Sequence, residues 1–422
     1  MFKRQTLLLP GALAVALLLS ACEHFPSVLP APESPAPTAA ATPASCPPCA
    51  TCPACPTAEK PQPPAFTRRF TAATWEDLPG WQKDDHSAAW PAFQQSCRGL
   101  AKRAGAEAWQ AVCSRAEAVD GTSASAVRAF FERELRPYAV STDDPQATEG
   151  MVTEGMVTGY YEPLLLGSRQ QSQRFAFPVH AVPDNLLTVE LGDLFPELKG
   201  KRVRGRVEGN KLVPYWTRGE ILAQEQQLPA KTLAWVNDPI ELFFLQIQGS
   251  GRIRLPDGSL MRVNYADQNG HPYRSIGRLL VERGDLKLED ASMQGIQAWA
   301  RANPSRLNEL LNSNPSYVFF REMPASDDGP IGALGVPLTA ERSIAIDPRS
   351  IPLGAPVFLA TTRPNSTQPL QRLVMAQDTG GAIRGAVRAD FFWGFGKEAG
   401  ALAGRMKQNG RMWVLLPEGL AP

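Results

Sequence analysis

Ser343-Ile344-Ala345-Ile346, Pro356-Val357-Phe358-Leu359, Arg372-Leu373-Val374-Met375 and Met412-Trp413-Val414-Leu415-Leu416 are four short apolar runs separated by turn residues. Short strands spaced in this way predict a small barrel rather than an open α/β sheet. Upstream, Met156-Val157-Thr158-Gly159-Tyr160-Tyr161 reads as another strand. So does Ile240-Glu241-Leu242-Phe243-Phe244-Leu245-Gln246-Ile247-Gln248, taken as a buried strand running into the turn Gly249-Ser250-Gly251. Helices are expected where apolar residues recur every three to four positions. One contains Val127, Phe130, Phe131 and Leu135, capped by Thr122 or Ser123. Others fall between residues 274 and 313, around Leu279 and Leu280, Ile296 and Trp299, and Leu310 and Leu311. The fold class read from this pattern is mainly β with peripheral helices.

Three aspartates sit at the ends of such runs: Ile346-Asp347-Pro348, Ala376-Gln377-Asp378-Thr379-Gly380-Gly381 and Arg388-Ala389-Asp390-Phe391-Phe392-Trp393-Gly394. Side chains at strand ends lie on the rim of a barrel, where a groove can form. Asp390 stands out because the aromatic run after it can strip water from the carboxyl group and raise its pKa. A carboxylic acid still protonated near neutral pH is what a glycosidic oxygen needs as general acid. Asp378 can keep it protonated by like-charge repulsion. Asp347 and Asp378 equally fit a turn-closing role beside Pro348 and Gly380.

Gly159-Tyr160-Tyr161-Glu162-Pro163, Gln246-Ile247-Gln248-Gly249-Ser250-Gly251, Asn269-Gly270-His271-Pro272-Tyr273-Arg274-Ser275-Ile276-Gly277, Asn314-Pro315-Ser316-Tyr317-Val318-Phe319-Phe320 and the segment from Met375 to Gly396 occur in that order. With these motifs the chain resembles the membrane-bound lytic murein transglycosylase A family, from about Trp75 to Leu416. The resemblance implies a double-psi β-barrel from residues 66–163 and 316–422, with the three-aspartate part at 316–422. A second β-rich domain is inserted at 164–315, and a groove between the two receives a glycan strand. It further implies cleavage of the β-1,4 bond between MurNAc and GlcNAc with 1,6-anhydro-MurNAc ends. One aspartate acts as acid and then base; it matches Asp390, with Asp378 as neighbour and the reverse assignment open. Ordinary glycosidases use two carboxylates; here the muramoyl C6 hydroxyl replaces water. Asp347 matches the third aspartate of the motif.

Thr158, Tyr160, Tyr161, Gln248, Ser250, Gly251, Asp347, Gly380 and Gly381 are the candidate substrate-binding residues. The tyrosines can stack on a sugar face, although an aromatic pair on a strand more often belongs to the core. Glu162 and Glu322 are rival acids. His271, one of four histidines, is assigned no catalytic role. No cofactor is expected, and no nucleophile elbow is present.

The N-terminal end predicts export. Lys3 and Arg4 precede an apolar run from Leu7 to Leu19, too short to span a bilayer and interrupted by Pro10 and Gly11. Leu19-Ser20-Ala21-Cys22 resembles a lipobox, with residues 1–21 as signal peptide and Cys22 as the acylated residue. Glu23 follows, which favours the periplasmic face of the outer membrane. Residues 23 to 65 hold 13 of the 39 prolines and read, with Cys22, as a lipidated tether over 22–65. Within it Cys46, Cys49, Cys52 and Cys55 overlap as Cys-x-x-Cys spacings. In an oxidising compartment these favour disulfides over a metal. Cys97 and Cys113 are expected to pair and staple two adjacent helices. With 43 basic and 42 acidic residues the formal charge is +1, so nucleic acid is excluded as a partner. The expected partners are peptidoglycan glycan strands, the outer-membrane lipid and other cell-wall enzymes. A non-catalytic wall-binding lipoprotein is the alternative reading, and a metal or redox module built on the cysteine array is a third.

Overall fold

The computed structural model describes residues 68–103, 106–143, 151–198 and 203–420. The segments read as signal peptide and lipidated tether, with Cys22 and Cys46 to Cys55, lie outside these described residues.

Six strands close on themselves: β1 (Gly155–Glu162), β2 (Ser343–Ile346), β3 (Pro356–Thr362), β4 (Pro369–Thr379), β5 (Ala389–Phe395) and β6 (Lys407–Pro417). The order around the barrel is β6, β3, β4, β2, β5, β1, and β1 pairs back onto β6. The pairs β2 with β4 and β5 with β1 are parallel, the rest antiparallel. Closure leaves no free edge in this ring, and the outer half of β6 also pairs with Leu135–Asp143. All four of the C-terminal runs expected to be strands lie in the barrel.

Alternation along the strands separates two apolar groups. Ile344, Ile346, Phe391, Trp393, Val157 and Tyr161 join the main core with Phe358, Leu373 and Trp413. Ala345, Phe392 and Tyr160 point the other way and form a small cluster with Leu338 and Ile383. Helices Trp90–Leu100 and Glu107–Ala116 lie against the barrel and are joined by the Cys97–Cys113 disulfide. Helix Ala124–Glu134 is capped by Ser123, whose hydroxyl accepts from the Ala126 N–H, and Leu135 already belongs to the next strand.

Between β1 and β2 the chain builds a second sheet of six strands, ordered Val318–Met323, Leu260–Gln268, Ser250–Arg254, Leu164–Ser168, Thr232–Val236, Phe177–His180. The segment 240–248, expected as a strand, is a helix spanning Pro239–Gln248. Its start is dictated by Asp238, which accepts from the N–H groups of Ile240 and Glu241, and by Pro239 in the first turn. Its end is set by Gly249 at φ 77°, a left-handed cap that a glycine adopts without strain. An apolar run buried nearly all round carries no period, so strand and helix look alike; the caps decide. The helices expected between 274 and 313 are present as Ile276–Glu282, Met293–Ala302 and Leu307–Asn312.

Candidate active site

Ala345 on β2 is flanked by both aspartates, being paired with Asp378 on β4 and with Asp390 on β5. Two strand spacings put their backbones roughly 10 Å apart, with both carboxyls on the same face. The aim of Asp378 depends on a bulge. Ile344 pairs with Ala376 and Ala345 with Asp378, so Gln377 is the extra residue. Its buried side chain accepts from the Ser343 hydroxyl at 2.6 Å and donates to the Ala92 carbonyl at 2.7 Å and to Ser96 at 3.1 Å. That network holds the bulge in place.

Asp390 is held from β1. Thr158, its register partner, donates its hydroxyl to Asp390 Oδ1 at 2.6 Å and accepts from Arg388 Nη2 at 2.9 Å. Among the described residues no donor reaches Asp390 Oδ2. Both oxygens of Asp378 are engaged: the Ala333 N–H donates to Oδ1 at 2.9 Å and the Tyr160 hydroxyl to Oδ2 at 3.1 Å. Burial raises the pKa of both acids. Asp378 is pushed up to about 6 against these hydrogen bonds, with the nearby Asp390 charge acting in the same direction. Burial lifts Asp390 against the Thr158 hydrogen bond and the Arg388 charge. The phenol of Tyr160, buried beside two carboxyls, is also raised, so it stays a donor.

The source of the burial differs from the expected one. Alternation sends Phe391 and Trp393 into the main core, where their rings meet at 4.9 Å, and only Phe392 shares the face of Asp390. Both acids are half-buried, and the apolar cover on their face comes from Phe392, from Tyr160 at 5.1 Å from it, and from Leu338 and Ile383 of the adjoining loops.

Thr158 and Tyr160 are therefore brought to the aspartates, whereas the other expected binding residues have different surroundings. Tyr161 is in the barrel core against Gly400, where a Cβ would come within 2.6 Å of its ring, so it offers no face to a sugar. Gln248 Oε1 accepts from the Tyr161 N–H at 3.1 Å, a tie between the end of the helix Pro239–Gln248 and the barrel. Ser250 is buried, and a Cβ on Gly251 would meet Leu245 at 2.4 Å, so both serve the close passage of the chain after Gly249. Gly380 and Gly381 form the turn after β4, with Gly381 exposed. Glu322 is paired with Arg169 at the surface, and Glu162 forms a buried ion pair with Arg252 at 2.9 Å. His271 Nε2 lies 2.6 Å from the Tyr215 carbonyl, away from the aspartates.

Asp347 holds the loop that joins the strands of Asp378 and Asp390. It accepts from the Gly385 N–H at 3.0 Å and from Arg349, whose guanidinium lies 2.6 Å from Oδ2. Burial works to raise its pKa, but Arg349 and the N–H groups outweigh it and hold it down at about 2. A depressed acid contributes stability above its unfolded pKa near 3.8 and loses it as pH falls toward about 2. Asp347→Asn should therefore cost about 1–2 kcal/mol at pH 7, discounted because Arg349 is solvent-exposed, and little at pH 2. Urea unfolding of both proteins across that pH range measures the difference; a gap independent of pH would remove the charge from the explanation.

Two features of the site lay outside what the sequence was read to offer. Arg388, two residues before Asp390, carries no signal that sets it apart from any other charged residue in the sequence. The loop 329–338 has no periodicity, yet it brings the Ala333 N–H to Asp378 and the Leu334 N–H to the Gln377 carbonyl. Gly332 permits that approach, since a Cβ there would meet the Gln377 carbonyl at 2.6 Å. The loop is itself clamped from the inserted sheet by Asn264, which exchanges two hydrogen bonds with Ile331.

A cavity of about 600 Å³ lined by Lys83, Asp84, Glu341, Arg342 and Arg372 lies elsewhere and includes neither aspartate. Among the described residues no group of three or more His, Cys, Asp or Glu could hold a metal, and no helix is long and apolar enough to cross a membrane.

Comparison with known proteins gives two family matches, the MltA specific insert domain over residues 156–321 and the 3D domain over residues 342–416. Membrane-bound lytic murein transglycosylase A of Escherichia coli (strain K12) is 35% identical over 293 residues, covering 67% of this chain and 71% of its own. The crystal structure of MltA from Neisseria gonorrhoeae, monoclinic form, is 42% identical, with a TM-score of 0.73 over 85% of this chain and 96% of that one. That of E. coli MltA with bound chitohexaose is 28% identical, with a TM-score of 0.57 over 86% and 94% of the two chains.

Proposed function

This chain belongs to the membrane-bound lytic murein transglycosylase A family, and from that premise we propose that it cleaves peptidoglycan between MurNAc and GlcNAc with Asp390 as its single acid and base. It is an enzyme, a peptidoglycan lytic transglycosylase. The observation that carries the assignment of the acid is the contrast between the two carboxyls. Asp378 has both oxygens occupied by protein donors, whereas Asp390 has Oδ1 fixed by Thr158 and Oδ2 open. A group that must hand a proton to substrate needs an oxygen free to face it.

The chemistry runs in two stages. Asp390 Oδ2–H protonates the glycosidic oxygen, and the C1–O4 electron pair leaves with GlcNAc. The carboxylate then takes the proton of the muramoyl C6 hydroxyl as O6 closes on C1. The proton returns to Asp390 and no water is consumed. Raised pKa values at two neighbouring acids suit this cycle and would be an unexplained cost in a wall tether without catalysis. The bound chitohexaose of the E. coli relative supports a glycan ligand. The lipobox-like Leu19-Ser20-Ala21-Cys22 supports anchoring through Cys22 at the periplasmic face of the outer membrane.

Mass spectrometry of products released from purified peptidoglycan tests the reaction. Muropeptides ending in 1,6-anhydro-MurNAc are expected as the main product. Reducing MurNAc ends in their place would make the protein a hydrolase and end the single-carboxylate mechanism.

A further inference from the structure

The Thr158 hydroxyl has one proton and stands between two fixed groups. On one side Arg388 Nη2 donates to it at 2.9 Å; on the other it lies 2.6 Å from Asp390 Oδ1. A guanidinium has no acceptor, so the hydroxyl proton cannot turn toward Arg388 and is directed at Oδ1. Arg388 is itself 9% exposed and held by the carbonyls of Met156 and Ala389. No salt bridge to a carboxylate engages it directly among the described residues; its charge faces Asp390 across Thr158 alone.

We propose that Arg388 is a positioning residue of the proposed reaction: by locking the Thr158 proton onto Asp390 Oδ1, it keeps the transferable proton on Oδ2, the oxygen open to substrate. The inference rests on the reading of Asp390 as the acid. When Oδ2–H gives its proton to the glycosidic oxygen, Oδ1 already accepts a full hydrogen bond and the new negative charge meets a buried cation one hydroxyl away. When the C6 hydroxyl returns its proton, Oδ2 is again the only free oxygen. Without Arg388 the hydroxyl can rotate, the proton can settle on Oδ1, and it then points at Thr158 instead of the glycan.

The other groups facing Asp390 are few. Asp378 comes from β4 and the neutral Tyr160 from β1, and β2 contributes only Ala345. Exposed Lys407 on β6 pairs with Thr158 in register. Arg388 and Asp378 therefore oppose each other: the cation favours the ionised form of Asp390 and the neighbouring carboxylate disfavours it.

The test uses the full chain with Arg388→Met, Thr158→Val and the double variant, measured as release of anhydro-muropeptides against pH, with chitohexaose binding and thermal melting as folding controls. Arg388→Met should lower kcat about tenfold, the usual scale for a lost hydrogen bond to a charged group, with KM little changed. The alkaline limb of its rate profile should move to higher pH, and the double variant should be no slower than the slower single. An unmoved alkaline limb with losses that multiply in the double variant overturns the proposal. If Arg388→Met does not fold, Thr158→Val alone decides, since it must move the limb the same way. Should Asp390→Asn remain active, the parent reading fails; should it be inactive while both limbs stay at the wild-type pH, only the role of Arg388 fails.

Discussion

Asp390→Asn is expected to leave no measurable release of anhydro-muropeptides while chitohexaose still binds. The substitution keeps the size and planarity of the side chain and an oxygen that can accept from Thr158, as Asp390 Oδ1 does at 2.6 Å. What it removes is the proton on the open side. General acid–base catalysis typically contributes ~10²–10⁴-fold, and in the proposed cycle one group serves two successive proton transfers, so the loss should reach or pass the upper end. Asp378→Asn should behave differently. Asp378 and Asp390 are neighbouring half-buried acids; the Asp390 charge makes Asp378 harder to ionise, and a pairwise charge interaction acts in both directions. Removing the Asp378 charge lets Asp390 lose its proton at lower pH, so the active, protonated form disappears earlier and the alkaline limb moves down. The rate at the optimum should fall only in part. Both variants are read in the same assay of product release against pH. An active Asp390→Asn beside an inactive Asp378→Asn would exchange the two roles.

That the two aspartates would be neighbours was legible in the sequence, because both lie at ends of apolar runs and Gly380 and Gly381 after Asp378 let the chain turn back toward Asp390. How they are arranged was not, and the reasons are physical. The triple aromatic Phe391, Phe392, Trp393 looked like one desolvating block, but a strand divides consecutive side chains between two faces, so only Phe392 serves the acid. Tyr160 and Tyr161 looked like a pair, and the same alternation gives one to Asp378 and the other to the core. The Gln377 bulge is invisible in a sequence because it is a property of two strands at once. The loop 329–338 is fixed by residues far away in the chain, Asn264 above all, and its backbone N–H groups carry no side-chain signal. By contrast the helix Pro239–Gln248 announced itself through Asp238, Pro239 and Gly249, which a reading weighted toward its apolar run passes over.

Glu162 carries the second large effect, and it is one of stability. The strand that presents Thr158 and Tyr160 to the acids ends on this residue, 1% exposed, whose carboxylate meets Arg252 at 2.9 Å. Arg252 in turn donates to the Asp328 carbonyl at 3.1 Å and lies 4.4 Å over the Phe395 ring, so it is buried between its own sheet, the barrel and the loop at Asp328. Burial pushes the Glu162 pKa up and Arg252 acts against it, which is the balance of a desolvated pair. Glu162→Ala leaves a buried guanidinium with no counter-charge, and breaking such a pair from one side costs about 3–5 kcal/mol. The carbonyl and the ring retain part of the solvation of Arg252, so the lower end is expected. Glu162→Gln keeps an acceptor for the guanidinium and should lose less. Denaturant titration gives the two costs. Assayed well below its melting temperature, Glu162→Gln should still release anhydro-muropeptides, because its side chain faces Arg252 and the proposed proton route runs through Asp390. A folded Glu162→Gln protein with no turnover, beside an active Asp390→Asn, would move the acid from the barrel face to the junction with the inserted sheet.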